Sequence, residues 1–354
     1  MTFFLYFCAQ NMERILTSDV KNRFLKLIEC AHTVLCTGHV NPDGDAMGST
    51  LMLMKWMRRK GKEVHVVLPN RYPDFLSAIP GANEVVCYDT KPQLVKHLVA
   101  EADLIFVCDY GMRERTRDMA AVLDTNGCPR IMIDHHLAPE DFCDVTISRP
   151  EMCATCELLC HIMTEIDEMD SLTKDEAECL YAGMMTDTGA FTYNSARAEV
   201  YECVGKLISR GIDKDVLYRK LFWAMSPARL RLQGYLLYSK MHIVPGLHAA
   251  YITLTNEERR LLDTKNGDTE GIVNMPLQIK GMRLACLMAQ DTEHPRQYRI
   301  SLRSVDDFPC NELSKDFFDG GGHKNAAGGK FVGSEQEAIS QFKKAVRAYE
   351  HLLI

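Results

Sequence analysis

The sequence predicts an α/β protein: an N-terminal domain with a mostly parallel sheet flanked by helices, a helical linker, and a smaller C-terminal α/β domain. Three observations carry this. From Thr33 onward short apolar runs alternate with longer amphipathic stretches, the pattern of parallel strands joined by covering helices. After Pro150 helical periodicity dominates, and a second alternation begins near Gly246. A chain of 354 residues is long enough for two cores.

Thr33–Gly38 reads as a buried strand, and Ala46–Lys60 as a helix closed by Gly61. Val64–Leu68, Val85–Tyr88, Leu104–Cys108 and Ile131–Ile133 read as further strands, with helices at Pro92–Glu101 and Arg115–Leu123 between them. Thr173–Met185, Ala198–Arg210 and Pro227–His242 are the clearest later helices; Thr173 with Glu176 forms a capping box. Strands are expected around His248–Leu254, Leu284–Gln290 and Tyr298–Arg303, and a closing helix at Ser334–Leu352. These elements place one domain at 1–211, a linker at 212–238 and a second domain at 239–354.

A net charge of -7 argues against a protein that coats long duplex nucleic acid. The opening Met1–Asn11 is apolar but short and lacks a basic start, so neither a cleaved signal nor a membrane span is expected, and Met12 is an alternative start. Fourteen cysteines in a chain of this size then indicate free thiols in a cytoplasmic setting. Cys153, Cys156 and Cys160 are spaced three then four apart, which is one apolar face of a helix rather than a metal site. The oligomeric state stays open, a homodimer included.

The chemistry lies in four segments, each just after an apolar run: His39-Val-Asn-Pro-Asp43-Gly-Asp45, Cys108-Asp109, Asp134-His135-His136, and Thr186-Asp187-Thr188-Gly189. In an open parallel sheet, ligands gather beyond the carboxyl ends of the strands, so the first three can converge. Carboxylates mixed with imidazoles favour a borderline-to-hard divalent cation such as Mn2+, with Mg2+ or Co2+ as alternatives. If the backbone around Gly44 is extended, Asp43 and Asp45 point apart and serve two ions, while Asp109 has two oxygens with which to bridge them. Gly44 is expected to supply turn freedom. Two such ions can activate a water and stabilise the leaving oxygen of an in-line displacement. Singly, each residue has a structural alternative: Asp45 as a helix N-cap, Asp109 and Asp134 as turn residues, His39 as a core histidine.

Together, HVNPDGDAMGS (His39–Ser49), the aspartate of VCDYG, Asp134-His135-His136 and TDTGAF resemble the four motifs of the DHH phosphoesterases. SLRS (Ser301–Ser304) and GGGHKNAAGG (Gly320–Gly329) are similar to that family's associated C-terminal domain. The resemblance covers nearly the whole chain in order and is strongest to the stand-alone NrnA type, oligoribonucleases that also act on phosphoadenosine phosphate. It implies that His39, Asp43 and Asp109 bind one manganese and that Asp45, Asp109, His135 and Asp187 bind the other. His136 would face the scissile phosphate. Thr192 departs from the pattern, because relatives often carry a basic residue after the phenylalanine of the fourth motif.

In the second domain, Gly320, Gly321, Gly322 and His323 bring bare backbone to a phosphate, through successive N–H groups or through a helix starting at His323. Arg303 suits bidentate phosphate binding. The resemblance thus implies a catalytic domain at 1–211 and a substrate-binding domain at 239–354, acting on short oligoribonucleotides or nucleotide phosphates. Pyrophosphate or polyphosphate and cyclic dinucleotides are the competing substrates. A non-catalytic nucleotide sensor is disfavoured, since all six ligand positions are filled.

Overall fold

A computed structural model describes residues 14–223, 225–265 and 267–354. The apolar opening and Met12 lie outside these residues. The chain divides into two compact units, Met1–Ala224 and Met225–Ile354, and among the described residues no helix is long and apolar enough to cross a membrane.

The first unit begins with α1 (Ser18–Cys30), β1 (Thr33–Thr37), α2 (Gly44–Arg59), β2 (Glu63–Leu68), β3 (Val86–Cys87) and α3 (Pro92–Glu101). It continues with β4 (Leu104–Cys108), α4 (Met119–Leu123), β5 (Arg130–Asp134), β6 (Val145–Ser148), α5 (Thr155–Glu165), α6 (Lys174–Asp187), α7 (Ala198–Ser209) and α8 (Lys214–Phe222). The six strands form one parallel sheet in the order β3-β2-β1-β4-β5-β6. The chain winds outward from β1 to β3, then returns to lay β4 on the other side of β1. That reversal opens a crevice at the carboxyl ends of β1 and β4. The expected capping box of α6 is present, with Thr173 and Glu176 each bonding the other's backbone. The helix expected over Arg115–Leu123 is instead broken: a 3-10 turn at Arg113–Thr116 ends at Arg117, whose φ of 48° cannot continue a right-handed helix.

Both faces of the sheet are buried, so its strands are apolar runs rather than alternating ones. α2 is buried nearly all round because it lies between the sheet and α6. Small residues permit that approach. A Cβ on Gly44 would lie 2.2 Å from Thr186 Oγ1, and one on Gly48 would lie 2.4 Å from Cys179 O. Gly44 therefore serves close helix contact rather than turn freedom, and the backbone there is helical, not extended.

The second unit contains α9 (Pro227–Tyr235), β7 (Met241–Val244), β8 (Ala249–Leu254), α10 (Asn256–Leu261), β9 (Leu284–Gln290), β10 (Gln297–Ser304), α11 (Cys310–Phe318), β11 (Gly321–His323), β12 (Ala326–Val332) and α12 (Glu335–Ala348). Its sheet runs β11-β12-β10-β9-β8-β7, antiparallel except for the β8–β9 pair. Tyr298, Ile300 and Leu302 pack with Phe308, Phe318 and Phe342 in the main core of this unit.

The helix expected at Pro227–His242 stops as an α-helix at Tyr235, passes through a π turn at Leu236–Lys240, and gives way to β7, where pairing with β8 claims Met241 and His242. The stretch 212–238 is shared between the units. Ile212, Leu217 and Leu221 are buried in the first core, whereas Leu232 and Leu236 are buried in the second unit.

Candidate active site

β1, β4 and β5 deliver the site. The loop after β1 carries His39 and Asp43, α2 carries Asp45 in its first turn, Asp109 follows β4, and His135 and His136 follow β5. Asp187 closes α6. Asp43, not Asp45, is the N-cap: its Oδ1 accepts from the N–H groups of Asp45 (3.0 Å) and Ala46 (3.1 Å), and its Oδ2 lies 3.6 Å from His39 Nε2. Asp109 is held at φ 62°, a left-handed conformation that costs free energy for a non-glycine residue and recurs at functional sites.

That conformation places the two oxygens of Asp109 toward different histidines. Oδ2 is 3.3 Å from His39 Nε2, and Oδ1 is 3.5 Å from His135 Nε2. Each of these imidazoles has Nδ1 against a backbone carbonyl, Val40 O at 2.8 Å and Met152 O at 3.2 Å. With Nδ1–H donated there, Nε2 faces the carboxylates, donating to them while the ring is charged and free to offer its lone pair to a cation once the ring is neutral. His135 Nε2 also lies 3.6 Å from Asp187 Oδ2 and 3.9 Å from Asp45 Oδ2. Two donor groups result, His39–Asp43–Asp109 and Asp45–His135–Asp187, and in each the ligand atoms lie within 4.8 Å of one another. A third such group, Asp109–His135–His136, overlaps them. His136 Nδ1 is nevertheless engaged by Asp134 Oδ1 at 2.8 Å.

The electrostatics fit cations. Burial, then Asp109 and Asp187, push Asp45 well above the ordinary carboxylate range. Burial lifts Asp187 to about 7, against the pull of His135. Burial opposes the charged forms of His39 and His135, yet the surrounding carboxylates outweigh it. His39 is raised well above its usual value and His135 to about 9. Asp109 is held below the carboxylate range despite burial, because of its hydrogen bond to His39 and the three nearby imidazoles. Four carboxylates facing two neutral-capable imidazoles form an anionic pocket whose mutual repulsion a divalent cation relieves.

Residues 33–184 match the DHH family, N-terminal domain, and residues 250–351 match the DHHA1 domain. The chain belongs to the DHH phosphoesterase family. It is an enzyme family of hydrolases acting on phosphoester bonds. A solved structure from Bacteroides fragilis, described as an exopolyphosphatase-related protein, shares 42% identity at a TM-score of 0.92, covering 97% of this chain and 99% of that one. The bifunctional oligoribonuclease and PAP phosphatase NrnA of Bacillus subtilis is 23% identical over 87% of this chain and 92% of its own length. RecJ of Thermus thermophilus, solved in complex with Mn2+, shares the fold at TM-score 0.54 and 14% identity, over 98% of this chain and 56% of its own.

The DHH signature residues gain two supports that motif reading passed over. Thr155 N donates to Asp45 Oδ2 at 2.6 Å and Cys156 N to Oδ1 at 2.9 Å, so the N-terminus of α5 holds this carboxylate. Thr155 Oγ1 donates to Asp109 Oδ1 at 3.0 Å. The only sequence signal was a threonine opening a helix, a common cap. Thr192 is exposed on the loop after Phe191, and its N–H bonds Thr188 O.

In the DHHA1 region, Arg303, the next-to-last residue of β10, lies directly opposite Ala326 of β12, which in turn faces His323 of β11. Directly paired residues share a face, so Arg303 and His323 present side chains to the same side of the sheet. No helix starts at His323: it turns a hairpin into β12, because Gly321–His323 finds strand pairing there. A Cβ on Gly320 would fall 2.0 Å from Gly328 O, so this glycine is fixed by packing, while Gly321 faces open space and Gly322 takes φ 137°.

Proposed function

We propose that the chain is a manganese-dependent, cytoplasmic phosphoesterase that hydrolyses very short oligoribonucleotides to mononucleotides and removes the 3′-phosphate of adenosine 3′,5′-bisphosphate. The single observation that carries this reading is the split of Asp109 between His39 and His135. One carboxylate placed between two donor groups is what a pair of divalent ions needs. His39, Asp43 and Asp109 would hold one ion, and Asp45, Asp109, His135 and Asp187 the other. When bound, such ions supply an acidified water and charge neutralisation at the phosphate.

The chain's own residues do the rest. His136, fixed by Asp134, directs its ring toward the reacting phosphate and can donate a proton to the leaving oxygen. Thr155 and the start of α5 keep Asp45 and Asp109 in place. In the second unit, Arg303, His323 and the Gly320–Gly322 backbone bind a phosphate of the substrate.

Purified protein with manganese should release mononucleotides from a dinucleotide, and chelator should stop the reaction. Intact dinucleotide would defeat the reading. A second reading, phosphoanhydride cleavage, is favoured by the likeness to the exopolyphosphatase-related protein of B. fragilis. Phosphate release from polyphosphate outpacing nucleotide release in the same panel would establish it instead.

A further inference from the structure

The face of the second sheet that carries Arg303 is covered over β8 and β9 by Leu232, Leu236 and Ile272 but open over β10 and β12, and there it carries further cations. β10 turns Gln297, Arg299, Ser301 and Arg303 outward while Tyr298, Ile300 and Leu302 are buried. β12 sets Val332, Lys330, Gly328 and Ala326 opposite them in register. Arg299 and Lys330, both exposed, are thus directly opposed like charges, an arrangement that destabilises a sheet taken by itself. Among the described residues neither side chain forms an ion pair.

A third cation adjoins them. α10 is tied to the end of β9, where Asn256 N donates to Gln290 Oε1 at 2.8 Å and Asn256 Nδ2 to Asp291 O at 2.7 Å. This helix carries Arg259, half-buried, whose Nε is buried with no hydrogen-bond partner. Burial and the charge of Arg299 hold Arg259 below the usual guanidinium value, against Asp291. The Oδ1 of Asp291 already accepts from Glu293 N and His294 N, both at 2.9 Å. Three clustered cations and a desolvated N–H are stabilised together by an anion of several oxygens.

We propose that Arg299, Lys330 and Arg259 form a second phosphate platform, which grips the backbone of single-stranded substrates longer than a dinucleotide. It rests on the nucleotide reading above. Arg303 lies four positions beyond Arg299, about 13 Å along the strand at roughly 3.3 Å per residue. The two positions therefore hold different phosphates of one strand rather than two oxygens of one phosphate.

The test compares the full chain with its Arg299→Ala/Lys330→Ala variant, binding a labelled pentaribonucleotide and a labelled dinucleotide in chelator, so that nothing is cleaved. The variant should lose markedly more affinity for the pentamer than for the dinucleotide. Its log–log salt dependence for the pentamer should flatten by about 1.4, at roughly 0.7 per lost single-strand phosphate contact. Thermal melting, expected unchanged or higher once the opposed charges are gone, verifies folding. Equal slopes in the two proteins, or equal losses for both ligands, would overturn the platform. Failure of the nucleotide reading shows elsewhere, as a dinucleotide left intact by wild-type protein with manganese.

Discussion

Asp109 is where sequence and chemistry meet most tightly, because its left-handed backbone is tolerated by few residues and its two oxygens serve two histidines. Asparagine accepts the same φ and can keep the hydrogen bond from Thr155, so Asp109→Asn should fold normally. It removes the shared negative charge, and turnover with manganese should fall on the order of 10^3-fold or more. Circular dichroism and steady-state kinetics together check this; a folded variant with near-normal kcat would mean that Asp109 does not bridge. Thr155→Val separates positioning from ligation. The backbone N–H to Asp45 survives, but the hydroxyl to Asp109 is lost. Apparent manganese affinity should weaken roughly 10-fold, as for other residues that orient ligands, and unchanged affinity in a metal titration of activity would remove Thr155 from the site.

At the scale of elements, the parallel strands were legible because a sheet buried on both faces writes itself as uninterrupted apolar runs. Leu104–Cys108 and Pro92–Glu101 stand as read. β6 was not legible: Val145 and Ile147 alone are buried in a four-residue strand, too short a run to stand out before it is paired with β5. The strand at Gly321–His323 was hidden for a related reason, since glycines carry no side-chain pattern and only pairing with β12 defines it. The metal-type residues could be read only together, as four segments in order, whereas the support from α5 depends on tertiary placement. α5 is itself clasped from behind. Glu157 Oε2 accepts from Cys153 N at 2.6 Å, and Oε1 pairs with Arg197 and lies 3.4 Å from His161. Burial raises Glu157, but these partners outweigh it and hold it below its ordinary value. A carboxylate so shifted stabilises the fold above its unfolded pKa of 4.5 and ceases to as pH falls through its lower folded value. Because the Arg197 side chain is 34% exposed and solvent screens the pair, Glu157→Gln should cost about 2–3 kcal/mol at pH 7, less than the roughly 3–5 kcal/mol of a fully buried pair. Urea unfolding should show that cost shrinking as the pH drops below 4.5, and a pH-independent difference would mean that packing, not charge, is what Glu157 supplies.

On the scale of the whole molecule, the residues that read as a linker belong to two separate cores, which makes each unit a candidate for independent folding. The second unit encloses Phe308, Phe318, Phe342 and Leu302 in one cluster and Ile252, Leu254 and Leu287 in another. A domain of this size ordinarily folds alone when its core is its own. All six metal-type residues lie in the first unit. The two facts combine into one prediction. A fragment spanning 225–354 should melt cooperatively, and its midpoint should not move with manganese. The full chain should gain stability from manganese at the transition of its first unit, by about 2.7 kcal/mol at a hundredfold excess over the dissociation constant. Calorimetry of both proteins decides it. A manganese-dependent shift in the fragment would place a metal site in the second unit, and a fragment without a transition would show that its core depends on the first.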